Sequence, residues 1–298
     1  MLPICYTALP VFRLAFSKQM PELPEVETTK SGIAPHIKGK TISKLVVRQP
    51  KLRWPIPDDL PELIKNQSVL DVRRRAKYLL VDVGSPKTGK LKGTVIIHLG
   101  MSGSLRVIEG KVPEPEKHEH FDLVCKTGPT LRFTDPRRFG ACLWQDANDT
   151  TSALLDHLGP EPLSDDFNGE YLFERSRKRT SAIKTFIMDQ KIVVGVGNIY
   201  ASESLFLSGI NPKKAAGKIS KAKYQELVIA IKQVLAKAIE DGGTTLKDFV
   251  GSDGKPGYFA QQLRVYGRAG EACIQCNQTV KQITQGQRST FYCSNCQK

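Results

Sequence analysis

Residues 68–83 read SVLDVRRRAKYLLVDV, two short runs rich in β-branched, leucine and aromatic residues on either side of the basic stretch RRRAK. Each run is too short for a packed helix and suits a strand, so the segment predicts two neighbouring strands joined at a charged turn. The same texture continues outward. TISKLVV (41–47), TVIIHL (94–99), FDLVC (121–125), TLRFT (130–134) and ACLW (141–144) are separated by Gly, Pro and charged turns. From about residue 41 to 145 the chain therefore reads as a sheet-rich, two-layered unit.

On the N-terminal side the period changes. Val26, Ile33 and Ile37 recur at helical spacing, and Pro24 suits a first turn, where a missing N–H costs nothing. On the C-terminal side the turn-rich connector LLDHLGPEPLSDDF (154–167) leads into a helical region. Its clearest member spans 220–241, with Leu227, Val228, Ile231, Val234, Leu235, Ala238 and Ile239 on one stripe, Ser220 as N-cap and Gly242 beyond the end. The last segment carries two strand-like runs, TVKQIT (279–284) and STFYC (289–293), flanking the tip GQR. The fold class expected is α+β: a β-sandwich with a leading helix, a helical domain and a small β-hairpin.

At 298 residues, 40% of them apolar, the chain has room for two ordinary cores. Lys and Arg outnumber Asp and Glu by 44 to 30, a formal charge of +14 that points to a polyanionic partner, nucleic acid ahead of an acidic membrane surface. No apolar run approaches the roughly 18 to 20 residues of a membrane span. No GxGxxG fingerprint, Walker loop or HExxH helix is present, so neither a nucleotide cofactor nor a catalytic metal is indicated.

Of seven cysteines, Cys273, Cys276, Cys293 and Cys296 form two C-x2-C pairs, spacing that suits four thiolates around one tetrahedral zinc. Two disulfides are the alternative, disfavoured in a reducing cytosol. With every ligand position filled by sulfur, such a zinc is structural. Cys5, Cys125 and Cys142 read as small buried hydrophobes.

Residues 20–25, MPELPE, look like a second start inside the chain. If translation or processing leaves Pro21 first, its secondary amine titrates near about 8 and can attack a sugar C1′, expelling the base and leaving an iminium. An internal proline, an amide, cannot. Glu22 next to it could shuttle protons, or could simply complement the helix dipole. Residues 1–19 are interrupted by Pro3, Pro10 and Arg13 and lack a small-residue cleavage pattern, so a start assigned too early accounts for them better than a secretory signal or a transit peptide.

Together PELPEVE (21–27), RRAKYLL (74–80), HLGMSGSL (98–105), TDPRRFG (134–140), HLGPEPLSDDFNGEYL (157–172), GVGNIYASESLF (195–206), GGTTLKDF (242–249), SDGKPGYFAQ (252–261) and QRSTFYC (287–293) resemble the bacterial formamidopyrimidine-DNA glycosylases. The resemblance runs from Met20 to Lys298. It implies a bifunctional base-excision-repair enzyme that removes 8-oxoguanine and formamidopyrimidines from duplex DNA and then cuts the strand by β,δ-elimination. It also implies a division into an extension (1–19), a catalytic sandwich domain (20–150), a helix-two-turn-helix domain (151–262) and a zinc-finger hairpin (263–298).

By resemblance Pro21 is the Schiff-base nucleophile and Glu22 its acid/base, while Lys77 and Arg288 grip phosphates at the lesion and assist elimination. Met101 and Phe139 match apolar wedges and Arg137 the arginine that meets the orphaned cytosine. Asn198, His118 and Arg179 match DNA contacts, Arg179 lying where RSRKRTS varies from the family pattern. Residues 243–261 match a loop that closes over the everted base. Read without the family, Lys77 is an ordinary strand-edge charge and Met101 and Phe139 are core. The partner implied is damaged double-stranded DNA, met by a monomer in the bacterial cytoplasm at the nucleoid, with one structural zinc as the cofactor. Two rivals remain: an endonuclease VIII-like oxidised-pyrimidine glycosylase, which usually opens PEGPE, and a non-catalytic DNA-binding protein if the extension is retained.

Overall fold

The computed structural model describes residues 21–243 and 262–298. Helix α1 (Leu23–Ile37) leads into a sandwich of two four-stranded antiparallel sheets. One has the order β2 (Ser68–Arg75), β3 (Tyr78–Gly84), β4 (Leu91–His98), β8 (Ala141–Asp146). The other has the order β1 (Ile42–Val47), β6 (Glu119–Cys125), β7 (Thr130–Thr134), β5 (Ser104–Ile108). A short helix α2 (Leu60–Ile64) lies between β1 and β2.

The register of the opening hairpin is Arg75 opposite Tyr78 and Val72 opposite Val81, which leaves Ala76 and Lys77 as a two-residue turn. Ala76 adopts a left-handed φ of 53°, the backbone sign such tight turns need. All seven predicted runs are strands. β5 was not foreseen: SLRVI is broken by Arg106 and preceded by Gly103, and only Leu105 is deeply buried.

Between the sheets Val26, Ile33 and Ile37 of α1 join Val69, Val81, Val95, Ile97, Leu123 and Phe133 in one core. Phe121 and Phe133 stack at 4.8 Å across the β6–β7 pair. At about 1.5 to 3 kcal/mol for each fully buried aliphatic or aromatic side chain, this core holds α1, and the residues at its start, against the sheets.

The second core belongs to α3 (Gly169–Ser176), α4 (Ile183–Ile187), α5 (Asn198–Leu207) and α6 (Lys221–Glu240). Ser220 caps α6 by accepting the Lys223 N–H, and Gly242 follows the helix with φ 74°. The stripe foreseen for α6 is buried apart from Ile239 at its edge. The hairpin of β9 (Lys281–Gln285) and β10 (Arg288–Tyr292) packs on this core through Phe291 and Val280. Gly286 and Gln287 form its tip, both with left-handed φ, and Arg288 is exposed directly after them. Cys125 and Cys142 are buried as expected, while Cys5 and the loop 244–261 lie outside the described residues. Among the described residues no helix is long and apolar enough to cross a membrane.

Candidate active site between the sandwich and the helical domain

The start of α1 is driven into the start of α5. Pro21 is buried, and Glu22, 4% exposed, is the N-cap residue of α1. The Glu22 backbone N–H donates to Glu25 Oε2 at 2.9 Å, and Glu22 Oε1 accepts the Ile199 N–H of α5 at 3.3 Å. Glu22 Oε2 is buried with no hydrogen-bond partner among the described residues. Two helix N-termini thus face one carboxylate, which favours its charged form. Burial works against them and dominates, so that even with the Lys77 ammonium nearby the Glu22 pKa rises to about 7.

This approach is close because the chain between α4 and α5 is glycine-rich. A Cβ on Gly197 would lie 1.9 Å from Glu22 Cδ, and one on Gly195, whose φ is 76°, would lie 2.4 Å from Leu23 Cδ1. Glu25, one turn along α1, accepts the Tyr200 hydroxyl at 2.6 Å.

Two lysines border the carboxylate. Lys77 is 8% exposed, and burial pulls its pKa below the usual lysine value, with Glu22 opposing and Arg288 adding to the fall. Its turn is fastened by Glu161 of the connector, which accepts the Ala76 N–H at 2.7 Å, Arg75 at 2.9 Å and Arg74 at 2.7 Å. Arg74 also donates to Glu27 of α1 at 2.6 Å, so α1, the β2–β3 turn and the connector are tied together.

Lys184 of α4 is buried and donates to Asn198 Oδ1 at 2.6 Å, Thr290 Oγ1 at 2.8 Å and the Ser289 carbonyl at 3.0 Å. Burial brings its pKa down to about 7, with Glu22 opposing and Arg288 reinforcing the shift. Asn198 is therefore held at both ends of its amide, since its Nδ2 donates to the Tyr266 hydroxyl at 3.3 Å. Glu203 fixes the turn that carries Tyr266 by accepting the N–H groups of Arg264, Val265 and Tyr266.

Two loops at the sandwich edge share a second buried carboxylate. Asp135 accepts Ser102 Oγ at 2.8 Å, the Arg137 N–H at 3.3 Å and the Gly140 N–H at 2.7 Å. Its own carbonyl meets His120 Nε2 at 2.6 Å. Main chain meets main chain where the loops cross, because a Cβ on Gly100 would lie 2.4 Å from Gly140 N. From this clamp Phe139 projects 44% exposed, with the Arg137 guanidinium 4.9 Å over its ring, and Met101 is half-buried on the facing loop. Behind them His98 accepts the Gly100 N–H through Nδ1 at 2.9 Å, and burial lowers its pKa to about 4, so the imidazole is neutral.

The four hairpin cysteines place their sulfurs within 4.8 Å of one another, with Cys276 and Cys293 at 3.4 Å and Cys273 and Cys296 at 3.9 Å. A tetrahedral zinc with bonds of about 2.3 Å sets sulfurs about 3.8 Å apart, so the cluster has the dimensions of a zinc–thiolate centre.

Three domain families match in chain order: the formamidopyrimidine-DNA glycosylase N-terminal domain over residues 20–142, the H2TH domain of the same enzymes over 158–250, and the zinc finger found in FPG and IleRS over 270–298. The formamidopyrimidine-DNA glycosylase of Alteromonas mediterranea is 57% identical over 279 residues, 94% of this chain and all of that protein. The chain belongs to the formamidopyrimidine-DNA glycosylase family. The enzyme of Yersinia enterocolitica is likewise 57% identical, over 93% of this chain and all of its own length. Among solved structures, the Thermus thermophilus MutM (Fpg) protein is similar with a TM-score of 0.82 at 35% identity, covering 93% of this chain and 98% of that one. The Lactococcus lactis Fpg bound to DNA containing an abasic site is similar with a TM-score of 0.84 at 30% identity, covering 93% of this chain and all of that one.

As a formamidopyrimidine-DNA glycosylase the chain is a base-excision-repair enzyme acting on damaged DNA, a glycosylase that is also an AP lyase, and its four-cysteine finger holds one structural zinc. The fold brings Pro21, Glu22, Lys77 and Asn198 together, with Arg288 near enough to act on both lysines electrostatically. Met101, Arg137 and Phe139 form a separate projecting group. His118, half-buried with a left-handed φ of 76°, opens β6 beside the Asp135 clamp, its carbonyl accepting the Asp135 N–H. Arg179 is exposed in the turn after α3, its carbonyl accepting the Gly217 N–H at 2.9 Å. The family-free readings of Lys77 as a strand-edge charge and of Phe139 as core do not hold. Sequence reasoning missed Lys184, Glu161, Glu203 and Asp135. A lone cation inside the apolar run AIKTFI was the one local signal for Lys184.

Proposed function

We propose that the enzyme excises oxidised purines through a covalent intermediate on Pro21, and that its working form begins at that residue. The observation that carries the reading is the buried carboxylate of Glu22, adjacent to Pro21 and titrating near 7. The proposal for the N-terminus is supported by the relatives, whose whole length aligns with 279 residues of this chain, and by the N-terminal family domain, which starts at residue 20.

The Pro21 amine attacks C1′ as the C1′–N bond to the base breaks and the base leaves with a proton. Glu22, half protonated near neutrality, delivers a proton to the sugar ring oxygen as the ring opens to the iminium. The iminium draws electrons from the C2′–H bond. Loss of that proton expels the 3′ phosphate, and a second elimination expels the 5′ phosphate. Lys77 and Arg288 hold these phosphates, and Asn198 holds the neighbouring backbone with its amide oriented by Lys184 and Tyr266. Met101 and Phe139 fill the vacated stack while Arg137 meets the orphaned base, offsetting a few kcal/mol of unstacking. His118 and Arg179 extend the contacts to DNA, and residues 243–261 cap the everted base. The enzyme works as a monomer in the bacterial cytoplasm at the nucleoid, where reduced cysteines retain zinc.

Borohydride added to enzyme and an 8-oxoguanine duplex traps a covalent adduct, and Pro21→Gly or a blocked amine abolishes it. Equal trapping by the blocked protein refutes the nucleophile. Competition between 8-oxoguanine and thymine glycol duplexes separates this reading from an oxidised-pyrimidine specificity, because the purine lesion is cleaved first.

A further inference from the structure

We propose that residues 176–184 and 212–218 form a second phosphate-binding strip, which holds the DNA duplex on one flank of the lesion. The two segments run antiparallel. The Gly217 N–H donates to the Arg179 carbonyl at 2.9 Å, Ala216 to Ser181 at 2.9 Å and Ile183 to Lys214 at 2.7 Å, with Ala182 and Ala215 bridged between them. The approach at Gly217 leaves no space for a side chain, since a Cβ there would lie 2.7 Å from the Arg179 carbonyl.

The pairing gathers Lys178, Arg179, Lys213, Lys214 and Lys218 on one ladder, each of them exposed. None is in an ion pair among the described residues, whereas the lysines that follow at the start of α6 are matched, Lys221 by Glu170 and Lys223 by Glu226. Five unmatched cations held together by the backbone repel one another, and a polyanion relieves that repulsion. Lys178 is fixed in a left-handed turn at φ 61°, and Lys213 lies 5.4 Å from the Tyr292 ring of the hairpin.

The ladder is continuous with the hairpin tip. The Pro212 carbonyl accepts both the Lys184 N–H and Gln285 Nε2, and Lys184 in turn reaches Ser289 and Thr290, the two residues after Arg288. The six residues 212–217 span at most about 20 Å, the axial rise of about half a dozen phosphates on one strand. A ladder beginning beside Arg288 therefore carries the contact along the duplex, away from the lesion on one side.

The strip rests on the DNA-glycosylase reading and is tested apart from it. The full chain is titrated with duplexes containing a tetrahydrofuran abasic-site analogue, with either arm trimmed to one helical turn. The triple variant Lys213→Gln, Lys214→Gln, Lys218→Gln loses up to about 2.7 from the slope of log K against log salt on the long duplex, about 0.9 for each phosphate contact. Trimming one particular arm removes the difference from wild type, trimming the other does not, and excision on the short duplex is unchanged. A control with Lys87→Gln, Lys90→Gln and Lys126→Gln, whose turns lie at the strand ends remote from Lys77 and His118, keeps the wild-type slope. An unaltered slope in the triple variant, an equal loss in the control, or a loss indifferent to the arm trimmed overturns the strip. A wild-type protein with no preference for the lesion duplex overturns the glycosylase reading instead.

Discussion

Replacing Gly197 by alanine tests the acid/base assignment without touching the acid. Gly197 has φ −96° and ψ −165°, an extended conformation open to alanine, so the backbone bears no strain. The new methyl group, however, would lie 1.9 Å from Glu22 Cδ and 2.2 Å from both carboxylate oxygens. Carbon atoms rest about 3.5 Å apart, so the carboxyl group has to withdraw by more than about 1 Å. That breaks its bond from the Ile199 N–H and moves it from the sugar it serves. A displacement of about 1 Å costs on the order of 100-fold in rate, equivalent to about 2.7 kcal/mol. Losing the backbone N–H groups, which pull the Glu22 pKa down, also moves the alkaline limb of the rate profile, where Glu22 gives up the proton it delivers, to higher pH. The assay is single-turnover excision of 8-oxoguanine at saturating enzyme, with affinity for an abasic-site duplex measured alongside. Excision falls about 100-fold while affinity stays within a factor of a few. A wild-type rate, or an affinity that falls as far as the rate, refutes the reasoning.

Lys184→Met removes an ammonium whose native pKa is about 7 against 10.5 unfolded. Between those values the unfolded chain holds the proton and the folded one does not. Wild-type stability relative to the variant thus climbs by about 1.4 kcal/mol per pH unit above pH 7 and is flat below, as denaturant unfolding from pH 6 to 10 will show. Asp135→Asn sets an amide NH2 or a single oxygen against three donors, costing about 1 to 3 kcal/mol, and loosens both projecting loops. Fluorescence of 2-aminopurine beside the lesion reads this as slower eversion. Removing zinc with a strong chelator releases the hairpin and with it Arg288, so lesion binding and strand scission fail together, and zinc alone restores both.

The sandwich was legible because strands of four to eight residues repeat a local pattern that turn residues interrupt, and α6 because its caps and its stripe agree. The zinc centre was legible because both pairs of ligands are close in sequence. What the sequence withheld was set by distant partners. Lys184 reads as a surface lysine until Thr290, 106 residues later, closes over it. Lys77 becomes buried only because Glu161, 85 residues from Ala76, seats its turn against the connector. β5 escaped because one buried leucine between polar neighbours gives no period to detect. The zinc cysteines were found by chemical type, whereas Lys184, Glu161 and Asp135, whose roles are set by distant partners, were invisible to it.

The hairpin tip constrains how this part of the chain can vary. Arg288 is exposed while Thr290, two positions on, is buried against Lys184, and both depend on a turn of two residues. A slip of β10 by one residue against β9 would turn every side chain of the strand to the opposite face, setting Ser289 where Arg288 now stands. A length change in this finger therefore leaves Arg288 in place only where the tip itself takes it up, as a longer loop or a bulge, and the β9–β10 register stays unshifted.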